Sequence, residues 1–356
     1  MKALAVSNNV KKVLFSICSL SCFLTFGQIG EKFNLHGSAD LYWKTNLTGT
    51  NEAFEDLQEN SYFNTPATAF ANRSGFSLGM ANLVASYQGE KVGFVADLAF
   101  GPRGEDAVFL STGSSNIVNQ LYVYWNLSEK LRLTMGNFNT FLGYEVISPV
   151  GNFNYSTSYM FSYGPFSHTG IKMDLTLSED FTLMLAIMNS TDFTEINLDG
   201  SYTAGVQFGY KSQYLNFIYG EQTALPGSTF QVDYTGGLNL SPSIFLGINS
   251  TYNTTDGSGF YGFALYPQLT TSERFAIGLR GEYFKEFDGG VGVFGLNTDQ
   301  DAEVFEFTIT GNYTIENLTL KPELRFDTAS EEVFYDMDAM PSEHLASFLL
   351  AAVYSF

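Results

Sequence analysis

FEFTITGNYTIENLTLKPELRFD, residues 305–327, changes character at every second residue. Phe305, Phe307, Ile309 and Tyr313 fall on one face of an extended chain, and Glu306, Thr308, Thr310 and Asn312 on the other. After Glu316 and Asn317 the pattern resumes, with Leu318, Leu320, Leu324 and Phe326 set against Lys321, Glu323, Arg325 and Asp327. Period two is the signature of a strand with one apolar and one polar face, so the stretch predicts two antiparallel strands joined by a tight turn. Pro322 is the awkward member, because proline removes a donor from the ladder.

The same period recurs along the chain. Ile171, Met173, Leu175 and Leu177 oppose Lys172, Asp174 and Thr176, and after the turn 178–180 the apolar face continues as Phe181, Leu183, Leu185 and Ile187. Phe275, Ile277, Leu279 and Tyr283 oppose Gly278, Arg280 and Glu282. The pattern predicts sixteen strands, near 33–47, 76–87, 91–100, 117–127, 131–138, 169–178, 181–189, 202–211, 213–222, 230–240, 243–252, 260–269, 274–285, 303–315, 318–328 and 345–356, the second and twelfth being the least regular. Short turns alternate with longer loops such as 48–75, 101–116, 286–302 and 329–344.

An even number of strands with short turns at one end and long loops at the other is the pattern of an all-β, antiparallel, up-and-down transmembrane β-barrel. A soluble antiparallel sheet also alternates, because it buries one face. Three features favour the barrel. Helical periodicity is nearly absent after residue 28, the charges keep to one face of each regular strand, and Trp43, Trp125, Tyr210, Tyr219, Tyr283, Tyr313 and Tyr354 stand near strand ends as an interfacial girdle does. The chain closes on FLLAAVYSF, where Tyr354 and Phe356 in one phase are similar to the assembly signal of outer-membrane proteins.

The N-terminus reads as a different object. Lys2, Lys11 and Lys12 precede the apolar run 13–27, with Thr25 and Gly27 at the −3 and −1 positions of a cleavage site, so residues 1–27 are expected to be a signal peptide and 28–356 the barrel. Both cysteines, Cys18 and Cys22, lie in that segment, so the remainder has no thiol for disulfides, nucleophiles or metal ligation. The segment takes three lysines and no acid with it, leaving a chain more acidic than the −20 of the whole sequence. With no cluster of Lys and Arg, nucleic acid is not expected as a partner. The expected partners are outer-membrane lipid, the outer-membrane assembly machinery and small hydrophilic solutes, with no cofactor and no metal.

Sixteen strands enclose an aqueous channel rather than a core filled by side chains. The polar faces supply Lys91, Arg132, Lys172, Arg280, Lys321 and Arg325 against Asp97, Asp174, Asp233, Glu282, Glu306, Glu323 and Asp327, a near balance that predicts a pore lining with little ion preference of its own. The acidity falls in the loops, with Glu52, Glu55, Asp56 and Glu59 in the first and Glu331, Glu332, Asp336, Asp338 and Glu343 in the last.

Residues 137–168, NFNTFLGYEVISPVGNFNYSTSYMFSYGPFSH, carry one acid, Glu145, and no Lys or Arg. Gly143, Pro149, Gly151, Gly164 and Pro165 preclude a continuous helix. The segment follows the fifth strand, reads as the longest of the eight loops, and is similar in position and length to the third loop of sixteen-stranded general porins, which folds into the lumen. Few charges, many aromatics and several glycines suit that placement. Tyr144, Glu145, Tyr155 and Tyr159 are then expected at a constriction, with Glu145 an unopposed acid that confers a modest cation preference.

The run 136–170, with the RGEYF and PELRFD strands, resembles the OmpL-like putative β-barrel porin family, over most of the chain beyond the signal peptide and most sharply from Gly143 to Gly170. The resemblance implies an outer-membrane porin for passive diffusion, without a defined substrate and without catalytic residues. Similarity to general porins suggests a homotrimer. A second class of reading is a saccharide-selective channel or a surface-binding, adhesin-like barrel.

Other chemistries fit less well. His36, His168 and His344 are scattered, and Ser167, His168 and Thr169 are strand neighbours that cannot face one another, so no hydrolytic triad is expected. Asp299, Asp301 and Glu303 lack the glycine and glutamate of an EF-hand and read as a solvated loop. Triplets such as Asn312-Tyr313-Thr314 reflect an Asn- and Thr-rich lumen rather than glycosylation.

Overall fold

The alternation closes into a cylinder. The structure, a computed structural model, describes residues 32–55, 61–222, 227–289 and 301–356; the expected signal peptide and Asp299 lie outside them. Sixteen strands form one closed antiparallel barrel: β1 Phe33–Asn46, β2 Gly75–Gln88, β3 Val92–Phe100, β4 Val118–Ser128, β5 Leu131–Asn139, β6 Ser167–Thr176, β7 Phe181–Met188, β8 Thr203–Tyr210, β9 Gln213–Glu221, β10 Ser228–Ser241, β11 Ile244–Thr255, β12 Ser258–Thr270, β13 Phe275–Phe287, β14 Glu303–Ile315, β15 Leu318–Ala329 and β16 His344–Ser355. Each pairs with its neighbour in sequence, and β1 pairs with β16 from Ser38 opposite Ser355 to Asn46 opposite Ser347. Gly37 and Phe356 exchange backbone hydrogen bonds of 3.1 and 3.0 Å, so the last residue completes the closure and no edge remains.

Facing follows the sequence. On β14, Val304, Glu306, Thr308 and Thr310 are buried inside, whereas Phe305 and Phe307 are 59% and 43% exposed on the outer face. Leu78, Val123, Met135, Ile187 and Tyr219 extend this apolar outer surface around the barrel, which is the surface that lipid covers. Among the described residues no helix is long and apolar enough to cross a membrane; the strands do the crossing. At Pro322 the β14–β15 ladder lapses, passing from Thr310 opposite Glu323 to Tyr313 opposite Leu320.

Two expectations about the loops change. The first loop, 47–74, is one residue longer than the third, 140–166, so the third is not the longest. The sixth is not long at all: β11 and β12 meet through Asp256 and Gly257, both with positive φ (50° and 99°), the tight hairpin geometry that Asp-Gly favours.

The interior is drier than the expected aqueous lumen. Phe260, Ala264, Tyr266, Phe284, Val304, Ala329 and Leu345 point inward and pack with Tyr159 and Met160 of the third loop and Phe334 of the last. Met184, Ala186, Met188 and Ile218 pack with Phe138 and Leu142. Both faces of β7 and β12 are therefore apolar: one meets lipid and the other meets a loop folded inside.

Candidate functional site

The third loop crosses the lumen from one wall to the other. It leaves β5 with Phe141 seated over Gly205 of β8, turns at Gly143, whose φ of 84° favours glycine, and donates the Gly143 N–H to Asp233 of β10 at 2.9 Å. Tyr144 then stacks on Tyr266 of β12 with ring centroids 4.2 Å apart. The loop continues along β13, β14 and β15, forms the short helix α2 (Tyr159–Tyr163) and returns to the wall at Phe166. Two further segments join it. Ala69 of the first loop receives a hydrogen bond from Thr157 and donates its own N–H to Ser162. Arg103, in the helix α1 (Pro102–Ala107) of the second loop, is buried with its Nε 2.8 Å from the carbonyl of Ile147.

A loop inside a barrel has no ladder for its peptide groups, and buried N–H and C=O groups must find partners. Here the partners are the charged side chains of the wall, sorted by sign. The Glu282 carboxylate accepts the N–H groups of Tyr159 and Met160 at 2.7 and 2.8 Å, and Glu323 accepts those of Tyr155 and Ser156 at 2.8 and 3.1 Å. The cations take the carbonyls. Lys321 Nζ donates to Pro149 and Asn152 at 2.9 and 2.5 Å, Arg280 to Ser156 at 2.7 Å, and Arg325 to Thr157 at 2.8 Å. The charges read as pore lining on β13–β15 therefore fasten the loop.

Glu145 is not unopposed. Its Oε1 lies 2.7 Å from Arg280 Nη1, and its Oε2 accepts the N–H and hydroxyl of Ser158 at 2.7 and 2.6 Å. Ser158 in turn caps α2 by accepting the N–H of Phe161. Arg280 also pairs with Glu306 at 2.9 Å, and Arg325 with Asp327. Tyr155 and Tyr159, expected at the constriction, are fully buried and donate their hydroxyls to Asp40 and Asp327. Glu145 thus contributes no free charge to a permeation path, and the basis for the expected cation preference is removed.

The remaining wall residues divide into two groups. Asp233 is buried and accepts from Asn216, Asn249, Thr235 and Thr251 besides Gly143, while Asp97 accepts from Asn82, Asn119 and Gln120. Lys172 and Asp174 form a half-exposed pair at 3.4 Å, and Arg132 is exposed with its guanidinium over the Tyr124 ring. Lys91 is a correction: it lies in the exposed turn before β3 rather than on the wall, because β3 begins at Val92. Asp40 and Arg103 escaped the sequence reading. Asp40 sits in the inward phase of β1 and was legible there; Arg103 lies on a loop, where no period marks direction.

The outer loops are tied to one another. Glu195 accepts the N–H and hydroxyl of Thr112 and the hydroxyl of Ser115, contacts that hold its carboxyl below the usual range. Asp192 accepts the N–H groups of Phe166 and Ser167 at 2.7 and 2.9 Å, yet burial pushes its carboxyl up to about 6. Of the histidines, His36 and His344 are exposed, and His168 is fully buried with Nε2 3.0 Å from the Thr140 hydroxyl and Nδ1 without a partner. A catalytic histidine needs an orienting group on its second nitrogen.

Two cavities flank the loop. One of about 560 Å³ opens at the short-turn end between the loop and β11–β16. The other, about 370 Å³, opens at the long-loop end between Phe109, Tyr163, Asp192 and the wall at Gln231.

Residues 32–356 match the family model described as "Putative beta-barrel porin-2, OmpL-like". Similar solved structures include the anion-selective porin from Comamonas acidovorans (10% identity, 91% of this chain and 99% of that chain, TM-score 0.56). They also include OmpT of Vibrio cholerae (9%, 91% and 97%, TM-score 0.50), which has also been solved in a trimer form. At these identities the likeness shows the fold. No curated protein matches the chain.

Proposed function

The chain belongs to the OmpL-like putative β-barrel porin-2 family, and from that premise we propose an outer-membrane porin whose third loop restricts passive diffusion to small hydrophilic solutes and ions. One observation carries the reading: a closed barrel with an apolar exterior has a loop fastened across its lumen, with an open cavity on either side. The exposed or half-exposed wall charges, Arg132, Lys172 and Asp174, are of mixed sign and favour a weak ion preference. No step of bond making is assigned to any residue; the chain acts as a conduit rather than an enzyme.

In this reading residues 1–27 direct export and are removed, and Tyr354 and Phe356 present the assembly signal. The barrel functions as a homotrimer, which the trimer form of a structurally similar outer-membrane protein supports. Planar-bilayer recording tests the proposal. Discrete, ohmic steps that recur in triplets support a trimeric porin, single steps retain the porin without the trimer, and a folded barrel that never conducts overturns it.

A further inference from the structure

We propose that the 560 Å³ cavity at the short-turn end is a binding subsite for a neutral, ring-shaped polyol of mono- or disaccharide size. The proposal rests on the channel reading and adds a ligand class to it. The volume lies in the range of about 300–1,000 Å³ in which small-molecule sites occur.

The charge state of the cavity selects against ions. Its two charged lining residues, Glu145 and Lys321, are already engaged: both Glu145 oxygens are bonded, to Arg280 and Ser158, and the Lys321 ammonium donates to backbone carbonyls of the loop. An ion that recruited either group would have to detach the loop. What the cavity offers instead is neutral.

Aromatic rings come first. Tyr144 and Phe153, both from the loop, stand at the cavity with Phe245 of β11. The wall is shaped to receive the loop's two rings, because a Cβ at Gly247 would collide with Tyr144 and one at Gly278 with Phe153. Aromatic side chains lining a cavity suit the C–H surface of a saccharide, as they suit any apolar surface with polar edges. Neutral hydrogen-bonding groups come second. Gln268, Thr314 and Asn312 line the same space, and the Asn312 amide nitrogen donates to the Phe153 carbonyl at 3.0 Å while its oxygen is buried without a partner. An apolar ligand would leave the amide and hydroxyl groups of Gln268 and Thr314 unanswered, whereas a hydroxylated ring answers both features.

The test uses glucose and maltose against the full-length folded barrel, by two readouts. In planar bilayers, maltose added on the short-turn side should reduce the current saturably, and Phe245→Ala or Asn312→Leu should raise the half-blocking concentration at least tenfold when each variant's block is scaled to its own sugar-free current. Calorimetric titration of the detergent-solubilised barrel with maltose should give a saturable heat that the same variants weaken, whether or not the barrel conducts. Sugar binding by a barrel that does not conduct would overturn the channel reading and leave the subsite. A conducting barrel with no saturable block and no heat would overturn the subsite and leave the channel. Equal binding of gluconate would overturn its neutrality.

Discussion

Glu145 Oε1 and Arg280 Nη1 lie 2.7 Å apart with both side chains sealed from solvent, one on the loop inside the barrel and the other on the wall. Charges read one at a time from a strand face look like pore lining. Read with their partners, they are the fastening of a loop whose peptide groups would otherwise be orphaned.

Removing one member of that pair should therefore act on structure rather than on selectivity. Glu145→Gln removes the charge that pairs with Arg280, leaves Glu306 as the nearer carboxylate partner, and offers one acceptor oxygen where Arg280 and Ser158 each use one. Breaking a buried pair costs about 3–5 kcal/mol, so the variant should unfold at lower denaturant and show noisier open-channel current. Its reversal potential in a salt gradient should shift less than that of a variant neutralising Glu331 and Glu332 together. A larger shift would mean that Glu145 faces permeating ions.

Facing is tested on β14. Ile309→Arg places a charge on the lipid face and should cost about 2–4 kcal/mol near the midplane. A lumen position is not safe merely because it points inward: Thr308 is fully buried against Arg280 and Glu306, so Thr308→Arg should be destabilising by at least about 1–3 kcal/mol through overpacking, with like-charge repulsion in addition. Thr314→Arg, which enters the open cavity, should be nearly neutral. Denaturant titration in lipid orders the three, and a stable Ile309→Arg variant would contradict the orientation of the strand.

How much of this was legible in the sequence varies by element. The regular strands follow from period two, because each has a lipid face that must be apolar, and the ends of all sixteen move by only a residue or a few. The irregular twelfth segment is explained by its second packing partner: Phe260, Ala264 and Tyr266 face the loop while Tyr261, Phe263 and Leu265 face lipid, so nothing alternates. The partners of Glu282 and Glu323 were not legible. Each bonds peptide groups more than a hundred residues away, and no local pattern encodes which backbone a carboxylate will meet. The inward course of the first and second loops was hidden for the same reason.

Outside the barrel, Asp192 gives a pH dependence. Its carboxyl, pushed up to about 6 by burial, binds a proton more tightly folded than unfolded, where its ordinary value is 3.8. Its contribution to stability is therefore fully present below about pH 4 and is lost as the pH rises through about 6. Asp192→Asn tolerates the left-handed φ of 67° and keeps an acceptor for Phe166 and Ser167, so it should stabilise the barrel by about 1–2 kcal/mol at pH 7.5, after allowance for the residue's partial exposure, with the gain vanishing near pH 4. Thermal melts across that interval read the difference, and a gain that grows toward acid would contradict the sign.

Closure and assembly meet at the last residue. Deleting Phe356 removes the paired backbone hydrogen bonds to Gly37 and the terminal aromatic together. The truncated chain should accumulate in the periplasm with little heat-modifiable barrel in the outer membrane. Normal insertion would separate closure from any signal.

Single-channel conductance before and after excision of residues 144–160 tests the central claim most directly. With the loop gone, Arg280, Glu282, Lys321, Glu323 and Arg325 are left to water in a widened lumen, and conductance should rise several-fold in a barrel that still migrates as folded. An unchanged conductance in that folded barrel would place the loop outside the conducting path and contradict the account.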